Sequence, residues 1–423
     1  NLVSAWMFVR FRWIQILMNK GFFNSSALES TAPASLIPKC GACGLLKKCK
    51  SPKLPVAGEG KKKILIVSEA PSKWDDDRNR LCANSSNKLP LESALRRCGL
   101  DLLKDCWITS ALICYPNGEN PTPDQISHCR PNLIKTIKQL DPDIIIPLGF
   151  AGVGSVIPHL WKENIGSATR WFGMKIPSQK INAWVCPTFA PAHVNHLLKT
   201  GDVKAPTTKI HFNRHIKEAV ALKGKPFDSI PDYRSRVKVI LEPRKAAAYI
   251  RKIISKGGII AFDYETNRLK PDEDNARIVS CSICWKGKRT IAFPFHGEVI
   301  PAMQELLDSD LPKIASNLKF EDRWTRKYYG HGVRNWCWDT MLAAHVLDQR
   351  PYITSIKFQS FVLLGNESYD DHITKYFRKT DENGLNAIHE IDLKELLIYN
   401  GLDSLLEYKV AIKQMKLLGY LKK

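Results

Sequence analysis

Short runs of branched and aromatic residues mark out the buried strands of this chain. Ile64-Leu-Ile-Val67, entered through Lys61-Lys-Lys63, is the first, followed by Trp107 to Ile113 and Asp143 to Leu148. The stretches between them, at about 89–98 and 125–140, repeat their apolar residues at helical spacing. Strand, helix, strand, helix, strand predicts a parallel sheet with right-handed crossovers. A second apolar series opens with a strand and a helix between Val237 and Ile254 and continues through Ile259 to Thr266, which is entered through Gly257-Gly258. Between the two series, Lys223 to Arg236 carries Pro226 and Pro231 among mixed charges and reads as a linker. The pattern predicts an α/β protein of two domains: a leader at 1–38, a first domain at 39–222, a linker at 223–236 and a second domain at 237–423. No internal repeat is visible.

Composition narrows the partners. The 423 residues suffice for two or three cores, and the net charge of +21 with a pI near 9.4 suggests an anionic polymer as partner. Residues 1–240 hold 35 Lys and Arg against 18 Asp and Glu, whereas residues 241–423 hold 28 against 24. The basic half is the N-terminal one, which suits it to holding nucleic acid, although a generally basic solvated surface is the plainer reading. Twelve cysteines scattered along a long chain point to a reducing compartment, the cytoplasm, rather than a secreted disulfide scaffold. Residues 1–17 are apolar but interrupted by Arg10 and Arg12, so neither a membrane span nor a signal peptide is expected; Met18 is a candidate start.

Candidate chemistry begins in the strand Ile259 to Thr266. Asp263 and Glu265, two residues apart on a strand, point to one face of an otherwise apolar run. Carboxylates held that close repel one another and lose hydration, a cost that Mg²⁺ or Mn²⁺ offsets. A strand running out into a polar turn is the competing reading. Ile314 to Trp324 reads as a short strand turning into a helix that carries Glu321 and Asp322. Tyr399-Asn-Gly-Leu-Asp403 then places a phenol and a carboxylate on one helix face.

Asp-x-Glu, an acid shortly after an Asn, and Tyr-x-x-x-Asp, in that order, resemble the three motifs of DEDD-type 3′-to-5′ exonucleases. The span from about Val237 onward is similar to the proofreading domain of family A DNA polymerases, including the helix Asp339 to Leu347. The resemblance implies a ribonuclease H-like fold with two divalent ions held by Asp263, Glu265 and Asp403, and Tyr399 orienting the attacking water. It places the second-motif acid at Glu321, where the family usually has Asp, with Asp322 as the neighbouring alternative. Asn317 and Lys319 would lie near the bound DNA strand.

In the first domain, Cys40-Gly-Ala-Cys43 is followed by Cys49, Cys114 and Cys129. Cys114 is expected to end a strand and Cys129 to lie in the next helix, so the chain can turn back between them. Such a set can hold zinc or an iron-sulfur cluster, and reduced thiols remain open. The run Trp107 to Pro116, Cys129-Arg-Pro131 and Pro142 to Gly149 resembles family 4 uracil-DNA glycosylases. That resemblance implies a [4Fe-4S] cluster on Cys40, Cys43, Cys114 and Cys129, with Cys49 spare and Cys82, Cys98, Cys106 and Cys186 in the core.

The resemblance fails at the pocket. Ser68-Glu69-Ala70-Pro71-Ser72 lacks the two glycines of the family's loop, and Arg80 to Asn84 offers no aromatic to stack on uracil. Ser110 stands where the family has Asn, and Ala190-Pro191 where it has His-Pro; His193 and His196 are the substitutes in the same loop. A glycosylase fold without ordinary glycosylase activity is expected, its cluster fixing loops against a surface that binds DNA backbone.

The combination resembles the N-terminal portion of some bacteriophage family A DNA polymerases, which would place the protein in the host cytoplasm. The expected function is metal-dependent 3′-to-5′ hydrolysis of single-stranded or frayed DNA, in replication or repair; a polymerase on a separate subunit, a truncated or split polymerase chain and an exonuclease that acts alone all stay open. A glycosylase acting on a modified base, a non-catalytic DNA-binding subunit and an RNA exonuclease are the alternatives.

Overall fold

The computed structural model describes residues 42–82, 88–377 and 384–421. Cys40 and the leader 1–38 lie outside the described residues. The first sheet contains β1 (Ile64–Ser68), β2 (Cys106–Ser110), β3 (Ile144–Pro147), β4 (Ile176–Ser178) and β5 (Ala183–Val185), in the order β2-β1-β3-β5-β4. All its pairings are parallel except that of β4 with β5. Alternation along the central strands separates two cores. Leu65, Val67 and Ile145 face one cluster, while Ile64, Ile66, Ile144 and Ile146 face the other. The covering helices are α1 (Leu89–Arg96), α2 (Pro123–Leu140), α3 (Gly149–Leu160), α4 (Pro191–Thr200) and α5 (Ala205–Val220). A capping box between Thr122 and Gln125, with proline at the first helical position, starts α2.

Two local expectations need correction. The strand predicted over Trp107 to Ile113 stops at Ser110, so Cys114 does not end it. The amides of Ala111 and Leu112 turn over the end of β1 to donate to Ser68 and Glu69, and the Ile113 carbonyl then accepts from Leu54. These bonds draw the chain out of the sheet. His193 and His196 sit on the helix α4, which Pro191 opens, rather than in a loop.

The second sheet is mixed: β6 (Val237–Val239), β7 (Ile260–Thr266), β8 (Ile278–Trp285), β9 (Arg289–Pro294), β10 (Lys313–Ala315) and β11 (Trp336–Asp339), in the order β11-β10-β7-β8-β9-β6. On one face pack α6 (Pro243–Lys256), α7 (Val299–Asp308) and Trp324 of α8 (Leu318–Tyr329). The helix α9 (Thr340–Leu347) follows β11, and its first two free amides, of Met341 and Leu342, are capped by the Asp339 carboxylate. Ile260, Phe262 and Tyr264 belong to the core under α6 and α7; Ala261 belongs to the core on the opposite face, with Leu405 and Ala411. Asp263 and Glu265 share the side of Ala261 by the two-residue period of the strand.

The last two long helices are α10 (Ile356–Leu364) and α11 (Leu393–Leu417). Ile356 of α10 packs on Leu406 and Val410 of α11, but Ile353, Phe358, Phe361 and Val362 enter the same buried cluster as Leu65, Val67 and Trp171 of the first sheet's layer. Phe358 lies 5.2 Å from the Trp171 ring and Phe361 4.7 Å from Trp161. Residues 350–365 thus return to the first unit although they follow the second sheet in sequence.

Candidate active site

Three acids converge where β7 meets α11. One carboxylate oxygen from each of Asp263, Glu265 and Asp403 lies within 4.8 Å of the others. Asp403 and Tyr399 are one helical turn apart on α11, and Asn400 between them donates from Nδ2 to Asp263 Oδ2 at 2.6 Å. The helix is held in register from below, because Ser282 Oγ of β8 donates to the Asn400 carbonyl at 2.7 Å and Ser280 Oγ to its amide oxygen at 3.2 Å. Burial pushes the Asp263 carboxyl up to about 8, with the nearby Asp403 charge adding to it; Glu265 is raised for the same reasons.

A second tier lies behind this trio. Glu321 of α8 is buried with its Oε2 unpartnered, and burial followed by the Asp263 charge raises its carboxyl well above the usual range. Asp322 turns elsewhere: it accepts from the Val333 amide and from Arg326 Nε, each at 2.8 Å, which together hold it below the usual range against the cost of burial. Glu407, one turn beyond Asp403, is also buried with Oε2 unpartnered and raised by burial and by Asp263 and Glu321.

The residues expected near a bound strand are placed by a different device. Asn317 caps α8 with a left-handed φ of 65°, its amide donating to Asp339 Oδ1 at 3.1 Å. Lys319 is exposed on the first turn of that helix. Tyr399 is buried at 8% exposure, its ring between Tyr369 and Phe377, at 6.1 and 5.7 Å.

Four residues that pattern reading missed complete the site: Lys357, Tyr369, Asn400 and Glu407. Lys357 Nζ donates to Asp403 Oδ2 at 2.8 Å and lies 4.8 Å from the Tyr399 ring, and Tyr369 Oη donates to Asp403 Oδ1. Glu407 had a signal, since Tyr399, Asp403 and Glu407 follow one another at intervals of four. Lys357 had only its oddity, a cation within the apolar run Ile353 to Leu364.

The donor set fits divalent cations. Several buried carboxylates, two of them with an oxygen lacking any partner, are unfavourable neighbours unless cations neutralise them.

In the first unit, Cys43, Cys114 and Cys129 line one small cavity with His128 and Asn132. Cys49 contacts Cys114, whose thiol is pushed up to about 12 by burial, and Cys114 Sγ accepts from the Lys53 amide at 3.4 Å. Thiols gathered at one cavity, with a backbone donor aimed at one sulfur, are the residue types a thiolate-bound metal uses, although among the described residues they are not drawn together as closely as the three acids. Cys106 and Cys186 are buried in the core, with Cys82 and Cys98 packed against it.

The loop that follows β1 is held by hydrogen bonds. Ser68 Oγ donates to the Thr109 carbonyl, Ser72 caps a short helix through Asp75, and Glu69 accepts from the Ala151 amide at 3.3 Å. A Cβ at Gly149 would lie 2.5 Å from the Glu69 carboxylate and 2.8 Å from Ala190 Cβ, so the backbone of Gly149 approaches both closely. His193 is exposed on α4 with its ring 6.5 Å from Phe189.

Comparison with known proteins matches the two parts of the chain to different families. Residues 55–217 match the family model "Uracil DNA glycosylase superfamily", and residues 238–408 match "3'-5' exonuclease". The DNA polymerase of Bacillus phage SP01 is 27% identical over 327 residues, covering 70% of this chain and 34% of its own length. The chain therefore spans about a third of that relative. The type-4 uracil-DNA glycosylase of Pyrobaculum aerophilum is 31% identical over 163 residues, covering 38% of this chain and 81% of its own. That of Sulfurisphaera tokodaii is 30% identical over 156 residues, covering 34% and 69%.

Proposed function

The chain belongs to the type-4 uracil-DNA glycosylase family through its N-terminal half and carries a 3′-5′ exonuclease domain in its C-terminal half; we propose that it hydrolyses single-stranded or frayed DNA from the 3′ end. The observation that carries this reading is the convergence of Asp263, Glu265 and Asp403 on one point, with Glu321 behind them. These four acids would hold two Mg²⁺ or Mn²⁺ ions, which supply an activated water and charge stabilisation at the leaving 3′ oxygen. Asn400 fixes the Asp263 carboxylate, and Asp339 fixes the loop at Asn317. Tyr399, its ring wedged between two others, orients the attacking water. Asn317 and Lys319 flank the strand.

The N-terminal half acts here as a DNA-binding support without base excision. Its Ser68 and Glu69 are bonded to Thr109 and Ala151 and its Ser72 to Asp75, and the sequence has Ala190-Pro191 where the resemblance expects His-Pro. Cys43, Cys114 and Cys129, with Cys40 from the segment before them, would hold a [4Fe-4S] cluster, and Cys49 is near enough to replace one of them. Residues 223–236 connect the two units, and a polymerase module, on this polypeptide or another, is the expected partner.

The test is release of mononucleotides from a labelled single strand with Mg²⁺ or Mn²⁺. The wild type should release them, and Asp263→Ala and Asp403→Ala should not, at circular-dichroism spectra matching wild type. Activity persisting in both variants would sink the assignment.

A further inference from the structure

Lys357 is the one basic side chain that the structure puts in contact with the acid cluster, among the described residues. Its placement is set from the other unit. The adjacent Phe358 packs at a tilt against Trp171 and under the Arg170 guanidinium at 4.2 Å, and Phe361 packs on Trp161. Upstream, Arg350 donates to the Thr169 and Phe172 carbonyls at 2.9 and 2.7 Å. Downstream, Lys162 pairs with Asp370 at 2.8 Å, next to the Tyr369 that donates to Asp403. The segment is therefore pinned to the first unit at both ends while its middle reaches into the exonuclease site.

Charge makes the same point. Asp263, Glu265, Glu321, Asp403 and Glu407 are five carboxylates, one more than the four of the DEDD pattern, and Lys357 is one added cation. Set against each other, Glu407 and Lys357 restore the balance of four negative charges that two divalent ions match. Lys357 and Tyr369 between them engage both oxygens of Asp403, one of the three acids that converge.

Accepting the exonuclease reading above, we propose that Lys357 is a resident counter-cation of the metal site, delivered by the glycosylase-like unit, which lowers the site's affinity for divalent ions by competing for Asp403. It is a positioning residue: it holds the Asp403 carboxylate and opposes a second cation beside it. No other step is assigned to it.

Binding of Mn²⁺, measured by paramagnetic resonance and calorimetry on the whole chain without substrate, separates this from a purely structural role. Removing a unit charge a few ångströms from the ions should make Lys357→Met bind Mn²⁺ about tenfold more tightly or better, while Lys357→Arg stays near wild type. Arg350→Ala, which loosens the segment without touching the acids, should shift affinity in the same direction by a smaller factor. Equal affinity in wild type and Lys357→Met overturns the proposal, and a wild-type constant in Arg350→Ala overturns the part given to the first unit. If wild type binds Mn²⁺ but releases no nucleotide, the exonuclease reading fails instead, and the binding comparison still stands.

Discussion

A carboxylate that is buried beside others binds its proton more tightly than it does in the unfolded chain, and at this site that has a measurable consequence. Asp263 sits near 8 against an ordinary value of 3.8. Between those two values the native state without metal keeps a proton that the unfolded chain has lost, so stability must fall as pH rises through that window. Thermal melting in a chelator should show the melting temperature decreasing from about pH 4 to about pH 8, with Asp263→Asn flattening the slope and saturating Mn²⁺ suppressing it. A slope unchanged in Asp263→Asn would show that this group carries none of the effect. At this scale the sequence shows which residues carry charge but not which of them meet. Asp263 and Glu265 are legible because a strand repeats every two residues, and Tyr399 with Asp403 because a helix repeats every four. Lys357 and Tyr369 are not, because 46 and 34 residues separate them from the carboxylate they contact.

Among the elements, α10 has the most unusual surroundings. Its apolar residues point both ways, Ile356 to α11 and Phe358 and Phe361 to the first unit, so no single helical face stands out in its sequence. That two-sidedness leaves the segment without the one-sided spacing that marks an amphipathic helix, and the sequence does not show what it packs against. Phe361 is 1% exposed and packs on two tryptophans, so Phe361→Ala should cost about 3–5 kcal/mol in chemical denaturation. Gly365, which ends the helix at φ 77°, is tighter still, because an added Cβ would lie 1.9 Å from the Pro177 carbonyl oxygen across the interface. Loss of stability in Phe361→Ala comparable to that of an exposed control such as Val346→Ala would contradict the packing described for α10. The strand at Trp107 is the opposite case: its apolar run continues to Ile113, but the hydrogen bonds of Ala111 and Leu112 end the pairing at Ser110. Hydrophobicity reports burial, and here it runs on past the ladder.

The whole molecule is lopsided in charge, with the excess of cations concentrated before residue 240. If that half holds the backbone of a single strand, affinity should fall steeply with salt, with a log–log slope of about −0.7 for each phosphate contacted, and charge reversals in the first unit should reduce it. A uracil-containing oligonucleotide should bind as tightly as its thymine counterpart and release no base; release of uracil would restore a working pocket to the first unit. The chain pattern made the two α/β units readable, since each opens with its own strand and helix. It could not show that they are one packed body, because the contacts uniting them come from a segment more than a hundred residues downstream of the first sheet.

That shared packing also bears on how the protein is made. The first unit's last helix ends at Val220, yet its hydrophobic layer is closed by Phe358 and Phe361, about 140 residues later. At ribosomal rates of about 5–20 residues per second, Trp161 and Trp171 would wait roughly 9–40 s for their partners. During synthesis the N-terminal unit is a nascent chain with an open seam, one that chaperones can bind until the segment carrying Phe358 and Phe361 emerges to seal it.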